Sequence, residues 1–215
     1  YFTEPQTVLA QKLCARTFAE KVFFSNSGAE ANECAIKTAR KYAHDRYGEK
    51  RNKIVTLTGS FHGRTITTLS ATGQEVFHTD FGTVTQGFVH TPPNDTEALI
   101  SLMGEDTVAV MLELVQGESG VNVLDIEEVE KIALFCKKND ILLVIDEVQT
   151  GNGRTGKLYA YEHYKIEPDV VTTAKGLAGG LPLGATILGE KVKDVLTPGT
   201  HGSTFGGNPV CCAGA

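Results

Sequence analysis

The sequence predicts an α/β protein: a mainly parallel seven-stranded sheet with helices on both faces. Three observations lead there. Short apolar runs alternate with stretches of helical periodicity along the whole chain, the order that builds parallel sheets through crossover helices. Several runs are continuous rather than alternating, as in Ile141-Leu142-Leu143-Val144-Ile145, which is how a strand covered on both faces reads. Polar clusters follow five of the runs, and ligands on such sheets bind at the carboxyl ends of the strands.

The first strand is expected at 21–25, leading into Asn26-Ser27-Gly28. A helix over about 28–47 follows, with Ala31, Ala35, Ala39 and Ala43 forming a small-residue face that can pack closely on a sheet. Ser27 is placed to cap it, with Glu30 completing a capping box. Strands are expected at 53–58 and 87–90, the former running into Gly59-Ser60-Phe61-His62-Gly63-Arg64. A helix at 94–103 precedes a strand at 107–113, whose end opens on the stretch Glu113 to Glu118. The helix at 125–139 begins with Asp125, Glu127, Glu128 and Glu130 and ends in Lys137-Lys138, acid first and base last, as the helix dipole favours. The strongest strand, 141–146, ends in Asp146, and strands at 170–174 and 185–189 follow. No internal repeat or linker tract divides residues 1–215, which read as one domain.

Twenty basic and 26 acidic residues give a net charge of −6, without the basic footprint of a nucleic-acid binder. No apolar run approaches the roughly 18–20 residues that span a bilayer. Five cysteines, Cys14, Cys34, Cys136, Cys211 and Cys212, lack metal-ligand spacing and read as free thiols of a reducing compartment, here the cytoplasm. No metal is expected. Asn94-Asp95-Thr96 fits a glycosylation sequon by chance in such a protein. Tyr1 is not an initiator, so a targeting segment could precede it.

Lys175 follows Val170-Val171-Thr172-Thr173-Ala174 and precedes a glycine-rich stretch. A lysine at the end of a buried strand has its amine beside a ligand-sized space, and desolvation there would let it bond a carbonyl. Asp146 needs a helix N-terminus or a cationic partner. It lies one crossover away, so both can flank one ligand. Ser27, Gly28 and Ala29 open a long helix directly after a strand, the arrangement that holds an anion. Amine, buried carboxylate and phosphate cradle together describe a site for pyridoxal phosphate, with the carboxylate keeping the ring nitrogen protonated. Phe61 could stack on that ring or be an ordinary core residue.

Two motifs point elsewhere and fail on detail. Gly151-Asn152-Gly153-Arg154-Thr155-Gly156 fits a dinucleotide fingerprint, but residues 147–150 separate its first glycine from the strand. Read as a phosphate loop, the stretch has Leu158 where Ser or Thr must hold magnesium. A glycine-rich loop at the edge of the site is the expectation.

The motifs Asn26-Ser27-Gly28-Ala29-Glu30-Ala31, Phe61-His62-Gly63-Arg64-Thr65, Asp146-Glu147-Val148-Gln149-Thr150-Gly151, Ala174-Lys175-Gly176 and Gly202-Ser203-Thr204-Phe205-Gly206-Gly207-Asn208-Pro209 resemble the class III aminotransferases. These are pyridoxal-phosphate enzymes of fold type I. The likeness covers essentially the whole chain, with the motifs in the family's order. It implies that Lys175 carries the cofactor and shuttles protons, that Asp146 pairs with the pyridinium, that Val148 backs the ring and Phe61 stacks on it. Gln149 would reach the phenolic oxygen, and Gly28 and Ala29 would hold the phosphate beside Ser27. Arg64 would grip the substrate's α-carboxylate, and Glu118 would pair with a gating arginine beyond residue 215. Ser203 and Thr204 would come from the neighbouring subunit of a homodimer, touching substrate and phosphate respectively. Within the family, Thr72-Gly73-Gln74 and the stretch from Gly153 to Glu162 are most similar to members that transfer the terminal amine of N-acetylornithine to 2-oxoglutarate. Ornithine, succinylornithine or 4-aminobutyrate as amine donor, an aminomutase, and a non-enzymatic binding module remain alternatives. Family members carry further segments at both ends that build a small domain, so the chain is expected to be the large, cofactor-binding domain of a longer protein.

Overall fold

The computed structural model describes residues 2–215. In chain order the elements are α1 (Glu4–Arg16), β1 (Lys21–Ser25), α2 (Gly28–Tyr47), β2 (Lys53–Leu57), α3 (Ile66–Ala71), β3 (Phe88–Thr91), α4 (Thr96–Leu102), β4 (Thr107–Leu112), β5 (Val115–Gln116), β6 (Asn122–Val123), α5 (Ile126–Lys138), β7 (Leu142–Asp146), β8 (Val170–Thr173), β9 (Gly184–Leu188) and α6 (Pro209–Gly214). Seven strands form one sheet in the order β1-β9-β8-β7-β4-β2-β3, and β5 and β6 form a separate ribbon. From β3 to β8 all neighbours are parallel, while β9 runs antiparallel to both β8 and β1. The expected α/β fold is present, with its seven strands where the apolar runs lie.

Period-two alternation sorts the strand residues onto two faces. Leu142 and Val144 pack with Ala35, Ile36, Ala39 and Tyr42 of α2 on one side. Leu143 and Ile145 pack with Leu99 of α4 and Val129 and Ile132 of α5 on the other. The alanine face of α2 lies on the sheet, with Ala31, Ala35, Ala39 and Ala43 fully buried. A third cluster joins Leu9 and Leu13 of α1 to Phe24, Leu177, Leu183 and the two cysteines of α6.

Caps set the helix boundaries. Ser27 Oγ accepts from Glu30 N–H at the start of α2. The expected capping box closes one residue early, because the Glu30 carboxylate accepts from Asn26 N–H rather than from that of Ser27. Asp95 accepts from Ala98 N–H, so α4 begins inside the expected 94–103. Asp125 accepts from Glu127 and Glu128 N–H at the start of α5. No helix among the described residues is long and apolar enough to cross a membrane.

Candidate active site

The carboxyl ends of β2, β4, β7 and β8 and the N-terminus of α2 converge on a cavity of about 250 Å3. Complete small-molecule sites usually hold about 300–1,000 Å3, a little more than this cavity. Of the residues expected from sequence, Gly28, Ala29, Phe61, Arg64, Glu118, Asp146, Val148, Gln149 and Lys175 line it. Ser27 does not, being spent on the helix cap. Ser203 and Thr204 line a separate hollow with Asn26, Glu30 and His201, and Ser203 Oγ accepts from Asn26 Nδ2 and Gly206 N–H, each at 3.1 Å.

Asp146 is buried at the end of β7. Its Oδ2 accepts from Asn32 Nδ2 and His62 Nδ1, both at 2.8 Å, and its Oδ1 from Val148 N–H at 3.0 Å. The carboxylate is thus satisfied by an amide, an imidazole and a backbone N–H, not by a helix N-terminus. Asn32 Nδ2 also donates to His62 C=O at 2.7 Å, which fixes the histidine from both ends. Burial alone would pull the His62 ring to lower pKa. The hydrogen bond and charge of Asp146, with the charge of Glu113, outweigh it, and the ring is held above its usual value. His62 Nε2 and Asn32 Oδ1 are buried at this cavity without a partner among the described residues.

Glu113, directly after β4, is also buried, and its Oε2 accepts from Phe61 N–H at 2.8 Å. Desolvation pushes its carboxyl up to about 7, against the charge of nearby His62. Phe61 stands edge-on to Phe77, with ring centroids 5.9 Å apart. The Arg64 guanidinium carbon lies 4.3 Å from the Phe77 centroid and 5.6 Å from that of Phe61, so its head is laid on aromatic rings.

Close packing shapes the floor. A Cβ on Gly28 would come within 2.6 Å of Val148 Cγ1, and one on Gly117 within 1.1 Å of Gln149 Oε1. Gly28 has no room for a side chain, and one at Gly117 would have to displace the end of Gln149. The first N–H groups of a helix lack intrahelical partners. Those of Glu30 and Ala31 are taken by Ser27, which leaves those of Gly28 and Ala29 at the cavity they line.

Lys175 follows β8 with φ +45°, a left-handed backbone that a lysine rarely adopts. Its side chain is exposed on the open wall of the cavity. The residue is thus exposed in this chain rather than covered as the sequence led one to expect. The glycine-rich loop 151–156 folds against the end of β8, where Asn152 Nδ2 donates to Thr173 Oγ1 and Ala174 C=O.

Asn32, His62, Gly63 and Glu113 line the cavity as well. In the sequence His62 and Gly63 stood out only inside a motif, Glu113 only as the start of a polar stretch, and Asn32 not at all. Their signals were present. Asn32 is one helical turn past Gly28, and Glu113 ends an apolar strand just as Asp146 does.

A family model described as aminotransferase class-III matches residues 1–215. The chain is 54% identical to the acetylornithine aminotransferase of Haemophilus ducreyi, over all of the chain and 55% of that protein. It is 50% identical to a succinylornithine transaminase of Salmonella paratyphi A, over 99% of the chain and 52% of that protein. Among solved structures it superposes with a TM-score of 0.94 and 35% identity on the ornithine aminotransferase of Toxoplasma gondii, reported with partial occupancy of pyridoxal phosphate at the active site. That match covers all of this chain and 52% of the other. The chain thus spans about half the length of the curated relatives it matches.

Proposed function

The chain belongs to the class III aminotransferases, and on that premise we propose that its parent protein moves the terminal amino group of N-acetylornithine to 2-oxoglutarate. The products are N-acetylglutamate semialdehyde and glutamate, a step of arginine biosynthesis. One observation carries the reading: Lys175, the triply bonded carboxylate of Asp146 and the N-terminus of α2 face one cavity. A primary amine, a fixed anion and a helix N-terminus are what pyridoxal phosphate asks of a protein. The open N–H groups of Gly28 and Ala29 suit an anionic group, while the unpartnered His62 Nε2 and Asn32 Oδ1 on the same wall suit a guest with polar atoms of its own.

When bound, the cofactor supplies an aldehyde that takes up amines and a ring that withdraws electrons. Gly28 and Ala29 N–H would hold its phosphate. Asp146 would hold a proton on the ring nitrogen, and three hydrogen bonds keep that carboxylate from turning away. Val148, wedged against Gly28, and Phe61 would flank the ring, with Gln149 at the phenolic oxygen. Lys175 Nζ would carry the proton between the reacting carbons. Arg64 would take the α-carboxylate, common to both substrates, in the two-pronged geometry that guanidinium offers. Glu118, in the loop between β5 and β6 at the mouth, would pair with a gating arginine and release it in the half-reaction that takes 2-oxoglutarate, the substrate with a second carboxylate.

We read the chain as the large domain of this enzyme. Ser203 and Thr204, which line a separate hollow, would complete the partner's site in a homodimer. The five cysteines are all unpaired, which supports a reducing cytoplasm. A second donor, succinylornithine, is favoured by the relative of that name at 50% identity. The deciding experiment gives full-length protein N-acetylornithine, N-succinylornithine, ornithine and 4-aminobutyrate with 2-oxoglutarate and compares kcat/KM. The highest value for N-acetylornithine is expected. A preference for the free diamine or for 4-aminobutyrate overturns the proposal.

A further inference from the structure

The glycine-rich loop between β7 and β8 is tied to both strands. Glu147, fully buried beside Asp146, accepts from the Thr150 hydroxyl on one limb and from Tyr161 N–H at 2.8 Å on the other. Gly151 N–H returns to Glu147 C=O at 2.9 Å. From this anchored loop Asn152 reaches across to β8. Its Nδ2 donates to Thr173 Oγ1 at 2.9 Å and to Ala174 C=O at 3.1 Å. Ala174 C=O also accepts from Leu177 N–H at 3.0 Å, so both its lone pairs are engaged.

That carbonyl belongs to the peptide plane from which the φ of Lys175 is measured. Holding the plane while the following turn fixes Leu177 leaves Lys175 at +45°, a conformation that persists only where its surroundings over-determine it. We propose that Asn152 is a positioning residue for Lys175, acting through the Ala174 peptide to hold the turn that carries the side chain at the wall of the cavity. The proposal rests on the reading of Lys175 as the residue that carries the cofactor. The chemistry singles out asparagine. An amide nitrogen has two protons for two acceptors, and Asn152 itself sits at φ +59°, which Asn, Asp and Gly tolerate best. Asn152→Gly therefore removes the brace without straining the loop. Asn152→Asp keeps the shape but turns a carboxylate toward two oxygens.

The test uses full-length apoprotein mixed with pyridoxal phosphate. Attachment forms a carbon–nitrogen double bond between Lys175 Nζ and the aldehyde carbon, and both protons of the neutral amine leave with the oxygen as water. Borohydride then fixes the adduct for peptide mass mapping. Non-covalent affinity is read separately in a Lys175→Ala background, and thermal melting checks the fold. Asn152→Gly should capture the cofactor about two- to tenfold more slowly, the equivalent of one net hydrogen bond. The pH midpoint of the visible band should move, and the affinity measured in the Lys175→Ala background should stay unchanged. Asn152→Asp should be slower still. Wild-type capture rate and midpoint in a well-folded Asn152→Gly, with the wild type captured at Lys175, would overturn the inference alone. No capture by the wild type, or capture at another lysine, would sink the reading of Lys175 and the inference with it. If Asn152→Asp does not fold, Asn152→Gly decides.

Discussion

Glu113→Gln is a change whose size the structure sets. The carboxyl is buried beside His62, Asp146 and Lys175, and its Oε2 holds Phe61 N–H. An amide oxygen can accept the same bond, so the substitution removes ionisation and keeps the contact. Burial raises the folded group from 4.5 to about 7. The folded state therefore binds the proton more tightly than the unfolded chain does. The stability this contributes is fully present below 4.5 and is lost as pH rises through about 7. At about 1.4 kcal/mol per pH unit, the loss comes to about 3 kcal/mol. Glutamine never ionises and escapes it. Urea unfolding of full-length apoprotein should find the variant within about 1 kcal/mol of wild type near pH 4.5. By pH 8 the variant should be about 3 kcal/mol more stable, with most of the divergence between pH 5 and 7. Parallel profiles across that range would show that Glu113 ionises in the folded protein at an ordinary pH, and the account of its burial would be wrong.

Asp146→Asn keeps the shape, but its amide can satisfy only part of a pocket built from three donors. Turnover should fall by orders of magnitude and stability by about 2–4 kcal/mol, and near-normal kcat would remove Asp146 from its role. Arg64→Lys should raise KM for both the amine donor and 2-oxoglutarate by the equivalent of about 1–3 kcal/mol, because one ammonium cannot reproduce the guanidinium fork. An effect confined to one half-reaction would place the carboxylates elsewhere. Full-length Lys175→Ala and Thr204→Val protomers, each impaired alone, should regain activity when mixed, since one site of each mixed dimer then pairs two intact residues. Mixed dimers that form without recovering activity would reject the shared site.

The sheet was legible because each strand is a short apolar run bounded by polar residues, and the length and β-branched content of Ile141 to Ile145 favour a strand buried on both faces. Strand direction is not written in such a run, and the reversal of β9 appears only through its pairing with β1 and β8. Helix α1 escaped because Leu9 and Leu13 are its only buried side chains among mostly polar neighbours. Helices α3 and α6, six residues each, are too short to show a period. At the candidate site the motifs marked the positions that touch the cavity. The residues that hold those positions were harder to see. Asn32, Glu113 and Asn152 act through hydrogen bonds to residues 21 to 114 positions away, and no local spacing encodes such a bond.

The pairing of β1 with β9 joins Lys21 to Leu188, and this bears on how the chain comes off the ribosome. Translation at about 5–20 residues per second leaves β1 waiting on the order of ten to thirty seconds for β9, its neighbour in the sheet. Throughout that interval the Val22-Phe23-Phe24 segment exposes an unpaired, apolar backbone edge, a template for pairing between nascent chains. Shortening the polypeptide before Gly184 would make that wait permanent. Yield in the cell should then fall through aggregation even though every residue that lines the cavity is present. Chaperone demand during synthesis is in this sense set by one long-range strand pair.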